Sequence, residues 1–197
     1  MARKTKHDIE VKIVYDKKEK DIDYTKLLLD KRIGSDGVKF VEVERETVKP
    51  LDVNTNSPCK ISTGDITFMY REKDTQEEWK LTNFCLEIKK SSDMFQSLYM
   101  KANKDKLFAE VDRCVQYGLQ LYFVSTEDLT TLSKTIHKIP KFRLTAVENT
   151  HFEQFMQLQD KLKECGYIGV IVSGTDLAWV VRRCIKHYIK KNKIQYW

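Results

Sequence analysis

No apolar run among the 197 residues is long enough to cross a bilayer as a helix. The N-terminus, Met1-Ala2-Arg3-Lys4-Thr5-Lys6, is basic, but Ile9-Glu10-Val11-Lys12 follows it where a signal peptide would carry an apolar core. A soluble, intracellular protein without membrane contact is therefore expected. The five cysteines (Cys59, Cys85, Cys114, Cys165, Cys184) include no C-x-x-C pair. That excludes the usual zinc modules and a secreted disulfide framework, and leaves buried or half-buried thiols in a reducing compartment. His7, His137, His151 and His187 are scattered and point neither to a metal site nor to a general base. There is no glycine-rich phosphate loop, no Ser-His-Asp or Cys-His arrangement, no internal repeat and no low-complexity tract.

What is present is a chain that can fold. Hydrophobic residues make up 41%, enough for one domain with a real core. We place that domain at 9–190, between basic tails at 1–8 and 191–197. Charged residues make up 32%, of both signs, with a net charge of +6, which permits a nucleic-acid partner without requiring one. Ile9 to Tyr15 alternates like a strand that ends at Asp16, Tyr24 to Lys31 reads as a short helix, and Gly34 to Gly37 as a turn. Val38 to Glu46 alternates again, with Val41, Val43 and Arg45 opposite Glu42, Glu44 and Glu46. Residues 50–62 read as a loop. Ile66 to Tyr70 and Trp79 to Ile88 flank the charged segment 71–78 as a hairpin. Ser91 or Ser92 would cap a helix to Tyr99, and Asp105 to Tyr117 is a longer helix. Leu119 to Val124 and Tyr167 to Val172 are buried-strand candidates, while His151 to Cys165 and 173–190 are helical. Strands with intervening helices predict an α/β domain with a central mixed β-sheet flanked by helices.

The chemistry concentrates at the ends of the hairpin. Asp65 opens it, and Leu86-Glu87-Ile88-Lys89 closes it. Adjacent antiparallel strands would bring Asp65 beside Glu87, and the period of two puts Glu87 and Lys89 on one face. Two carboxylates facing one point suit a hard divalent cation, and a neighbouring lysine can orient a water or take up charge on a phosphate. This is the D…E-x-K pattern of metal-dependent nucleases.

Order and context extend it. Tyr15-Asp16-Lys17-Lys18-Glu19 ends the first strand, Gly64-Asp65 follows, and Glu87-Ile88-Lys89-Lys90-Ser91-Ser92-Asp93 comes next. The succession resembles the nuclease domain of the XPF-type structure-specific endonucleases, whose pattern is D-x-R-E, G-D and E-R-K-x-x-x-D. The resemblance spans roughly residues 9–190 and is strongest over 11–125. It implies the restriction-endonuclease-like fold of the PD-(D/E)xK superfamily. It also implies a Mg- or Mn-dependent endodeoxyribonuclease acting on branched or junction DNA in repair, recombination or replication. Asp65, Glu87 and Asp16 would be metal ligands, Lys89 the catalytic lysine, and Glu19 and Asp93 the remaining acidic positions. Lys17, Lys18, Lys90, Lys106 and Arg113 are candidate DNA contacts.

The departures are conservative. Lys18 stands where the family has Arg, losing the guanidinium fork; Ile88 replaces the Arg of E-R-K; Lys106 replaces a usual Arg. No expected metal ligand is lost, so an active enzyme is expected. The alternative is a catalytically silent DNA-binding partner or scaffold with the same fold. The helicase region and helix-hairpin-helix motifs of the family's larger members do not occur within these residues, which would suit a phage or other mobile element. The location would then be the cytoplasm of a bacterial host, or the nucleus in a eukaryote. Family nuclease domains pair, so a homodimer or heterodimer is open. Trp179, Val180 and Ile185 form either that face or, more conservatively, part of the core.

Overall fold

In the computed structural model the described residues are 9–17, 28, 37–73, 77–89, 101–125, 168–171 and 177–194. The helices expected over 91–99 and 151–165 lie outside them, as does the one over 24–31 apart from Leu28, which is helical and exposed. Among the described residues, nine strands and two helices follow one another. They are β1 (Ile9–Asp16), β2 (Val38–Glu46), β3 (Leu51–Asp52), β4 (Ser57–Pro58), β5 (Ile66–Glu72), β6 (Lys80–Leu81), β7 (Phe84–Lys89), α1 (Lys101–Gln116), β8 (Gln120–Ser125), β9 (Ile168–Ile171) and α2 (Leu177–Lys191). The main sheet runs β2-β1-β5-β7-β8-β9, with β6 beside β5. β1–β5, β5–β6 and β5–β7 are antiparallel, whereas β1–β2, β7–β8 and β8–β9 are parallel. The chain is thus the expected α/β domain built on a central mixed sheet with helices. No described helix is long and apolar enough to cross a membrane.

The sheet separates two cores. Ile9, Val11, Ile13, Phe68, Phe84, Leu86, Ile88, Tyr122 and Val124 pack with the apolar stripe of α2. Cys85, Leu121 and Phe123 pack with Leu107, Val111 and Cys114 of α1 on another face. β7 shows why the strand reads as continuously apolar: it is covered on both sides. Its even-numbered residues join the α2 core and Cys85 joins the α1 core.

Three local expectations change. β2 buries Val38 and Phe40, and then Val43 packs on the same core, so the alternation slips by one residue. The register with β1 moves from Val11↔Phe40 to Lys12↔Glu42, leaving Val41 as a bulge. The segment 50–62 is not plain loop: β3 and β4 pair through Leu51↔Pro58 and Asp52↔Ser57. Buried Asp52 holds that turn by accepting bonds from the Asn54 amide N–H and the Thr55 hydroxyl, each 2.9 Å. Finally, α1 begins at Lys101, so 101–105 belong to the helix. Within α2, Val180 and Ile185 are core residues while Trp179 remains 45% exposed, so the three do not form one face.

Candidate active site

Between its pairings with β6 and β7, strand β5 changes register, from Met69↔Leu81 to Ile66↔Leu86. Two buried threonine hydroxyls fill the gap: Thr82 donates to the Phe68 carbonyl at 2.7 Å and Thr67 to the Phe84 carbonyl at 2.8 Å. With those carbonyls satisfied, the N-terminal end of β5 is pinned against β7. Asp65 sits there and grips both neighbours of Glu87. Its peptide N–H donates to the Leu86 carbonyl at 2.9 Å. Its side-chain Oδ2 accepts the Ile88 N–H at 2.7 Å. Asp16, half-buried at the end of β1, donates its N–H to the Asp65 carbonyl at 2.8 Å.

Gly64 lets the chain reach this position. Its φ is +75°, a region unfavourable for residues with a Cβ. A Cβ there would also lie against Cys85 Sγ and 3.2 Å from the Leu86 carbonyl oxygen.

Glu87 is 4% exposed, yet it carries a carboxylate. Lys89, two residues on along the same strand, places Nζ 2.5 Å from Glu87 Oε1. Burial pushes the Glu87 carboxyl well above the usual range, and the charges of Asp65 and Glu110 add to it; Lys89 opposes them. For Lys89, burial works against the ammonium, but Glu87, Asp65 and Glu110 outweigh it and hold the proton more tightly than usual.

Glu110 was not among the candidates from the sequence. It projects from α1 and accepts the Gly64 N–H at 2.9 Å, one residue from Asp65. In sequence it is only a polar position beside the apolar positions Leu107, Val111 and Cys114; the docking of α1 on the sheet gives it its place. A second association invisible in the sequence is the 4.0 Å approach of Cys114 Sγ to Cys85 Sγ beneath this site. Cys59, Cys85, Cys114 and Cys184 are all free and buried.

The other candidates divide. Glu19, Asp93, Lys18 and Lys90 lie outside the described residues. Lys17 is exposed, and its carbonyl accepts Arg45 Nε at 3.0 Å. Lys106 is exposed on α1. Arg113 is half-buried on the same helix, and its buried Nε has no hydrogen-bond partner among the described residues. Lys106, Glu110 and Arg113 recur at helical spacing, so they share one side of α1.

The donor set fits a sparsely ligated hard cation. Asp65, Glu87 and Glu110 interact electrostatically around a single lysine, and that excess of negative charge is what a divalent ion relieves. Among the described residues, no three or more His, Cys, Asp or Glu side chains form a cage for a metal. Mg²⁺ does not need one: it commonly takes one or two carboxylates and keeps several waters.

No protein-family model matches the sequence, and no curated protein matches it at a significant level. Among solved structures the chain is similar to XPF from Aeropyrum pernix, at 12% identity and a TM-score of 0.48, covering 92% of this chain and 68% of that one. It is also similar to XPF from Aeropyrum pernix in complex with DNA, at 13% identity and a TM-score of 0.45, covering 91% of this chain and 66% of that one. Both are distant likenesses, and the chemistry rests on the side chains gathered from β5, β7 and α1.

Proposed function

We propose that the chain is a metal-dependent DNA endonuclease acting on branched or junction DNA, with Asp65 and Glu87 as the principal metal ligands and Lys89 as the catalytic lysine. The observation that carries this reading is the buried Glu87 carboxylate, ion-paired to Lys89 and set beside Asp65. A buried cluster of like charges costs stability, and it is retained where chemistry needs it. DNA as the substrate comes from the resemblance of the D…E-x-K succession, not from the geometry.

A bound Mg²⁺ or Mn²⁺ would lower the pKa of the attacking water and neutralise charge on the scissile phosphate. Asp65 and Glu87 would hold that ion with waters completing its shell, and Asp16, at the adjoining end of β1, would hold one of those waters in place. Lys89, kept protonated by its acidic neighbours, donates to the phosphate oxygens as negative charge builds on them. Water attacks phosphorus in line, the bond to the 3′ oxygen breaks, and that oxygen takes a proton. The products carry a 5′-phosphate and a 3′-hydroxyl.

The test is cleavage of labelled duplex, splayed-arm, 3′-flap and four-way-junction DNA with Mg²⁺ or Mn²⁺. Cutting should require metal and should vanish in Glu87→Ala. Lys89→Ala should lower kcat roughly 10²–10³-fold, the usual cost of losing one group that stabilises developing charge. DNA binding without cutting under every metal condition would instead identify a catalytically silent partner.

A further inference from the structure

The net charge of +6 has an address. Six of the 35 Lys and Arg, and none of the 29 Asp and Glu, fall in residues 177–197. The preceding 176 residues therefore carry 29 charges of each sign and balance. The excess belongs to α2 and the residues just after it.

Helix α2 sorts these cations by side. Its apolar stripe, including Val181, Cys184, Ile185 and Tyr188, packs against the even-numbered residues of β7, whereas Glu87 and Lys89 are odd-numbered. Arg182 is drawn into the interior at 8% exposure. Arg183, Lys190, Lys191 and Lys193 are exposed. Among the described residues, none of these four is ion-paired with an Asp or Glu. Trp179 stands 45% exposed one turn before Arg183, whose guanidinium lies 5.0 Å from the centre of its ring.

Charge and shape narrow the occupant. A second copy docked on this same face would set two positive stripes against each other, because a two-fold interface matches a patch with itself. A bilayer would need an apolar side to insert, and that side of α2 is already in the core, with only Trp179 left over. A polyanion needs neither. From Arg183 to Lys191 the helix rises about 12 Å at 1.5 Å per residue, and a DNA strand offers a phosphate about every 3.4 Å of axis, so the stripe spans about three phosphates. Trp179 at its head offers a flat ring to a base or sugar.

We propose that the exposed stripe Trp179–Arg183–Lys190–Lys191–Lys193 is a second DNA-binding surface that grips the phosphodiester backbone on the sheet face opposite Glu87 and Lys89. It shares DNA as the partner with the nuclease reading but needs none of its chemistry. A protein with DNA-binding surfaces on both faces of one sheet can hold two arms of a branched molecule at once.

The experiment is equilibrium binding to splayed-arm DNA in EDTA over a range of salt concentrations. The variant is Arg183→Gln/Lys190→Gln/Lys191→Gln/Lys193→Gln; all four sites are exposed, and circular dichroism and urea unfolding check its fold. The slope of log K against log salt should become shallower by about 2 to 3, at about 0.9 for each phosphate that is no longer neutralised. The same change should appear on a Glu87→Ala background, so an absence of cleavage does not touch this test. A control, Lys39→Gln/Lys49→Gln/Lys60→Gln/Lys73→Gln, removes as many exposed charges elsewhere and should leave the slope near wild type. The proposal is wrong if the α2 variant keeps the wild-type slope, or if the control changes it as much. It is equally wrong if Trp179→Ala breaks a dimer while the salt slope stays unchanged, because a second copy would then be the occupant.

Discussion

At Gly64 two requirements meet in one residue. Its φ of +75° disfavours a Cβ, and the space a Cβ would fill is already occupied by Cys85 Sγ. Gly64→Ala should therefore destabilise the fold by about 1–3 kcal/mol, read from urea midpoints, and should reduce cutting because the same peptide aims Asp65. Glu110 acts on that peptide from the other side. Glu110→Ala leaves the Gly64 N–H without its acceptor and should cost about 1–2 kcal/mol of stability. Cutting should fall further than stability alone explains, because small misplacements of a catalytic group can cost up to about 10²-fold. Glu110→Gln keeps an acceptor and should hold stability near wild type, which separates the hydrogen bond from the charge in parallel urea and cleavage assays.

At the scale of elements, α2 and β7 carry the main core. Phe68, Phe84 and Tyr188 meet edge to face, with ring centroids 5.2–5.5 Å apart, and the Tyr188 hydroxyl donates to the Asn83 side chain. Ile185 lies fully buried in the same cluster. Ile185→Ala should cost about 2–5 kcal/mol, the range for truncating a large buried aliphatic side chain, measured by chemical denaturation. Its effect on cleavage per folded molecule should be small, because Ile185 packs on the side of β7 away from Glu87. Strands β1, β2, β5, β7 and β8 were legible because alternation or a continuous apolar run marks them. The bulge at Val41 was not, since Val41 and Val43 satisfy a simple period of two and only the pairing with β1 shows that one residue is extra. The β3–β4 ladder, two residues to a strand, is too short for any periodicity.

At the scale of the molecule, the described residues set an acidic cluster on one sheet face and a basic helix on the other. A divalent ion bound at the acidic cluster, as proposed, would stabilise the folded chain. Mn²⁺ at about 100 times its Kd should add about 2.7 kcal/mol, which for a protein of this size raises Tm by roughly 5–10 °C. Glu87→Ala should abolish that shift, and a shift that persists would place the ion elsewhere. A thermal melt with and without Mn²⁺ distinguishes the two without any DNA.

Asp65, Glu87 and Lys89 could be named from the chain alone because strand geometry is local: a period of two and a hairpin connection are enough to predict which side chains approach. The α/β class was legible for the same reason. Glu110, the Cys85–Cys114 approach and the placement of the basic stripe on the face away from Glu87 were not. Each depends on how a helix docks on a sheet, and that is set by the packing of two distant apolar surfaces. The sequence by itself determined the longer described strands and the chemistry-bearing residues of the hairpin; the tertiary structure alone decided which residues of other elements join them, because long-range packing leaves no periodic trace in the chain.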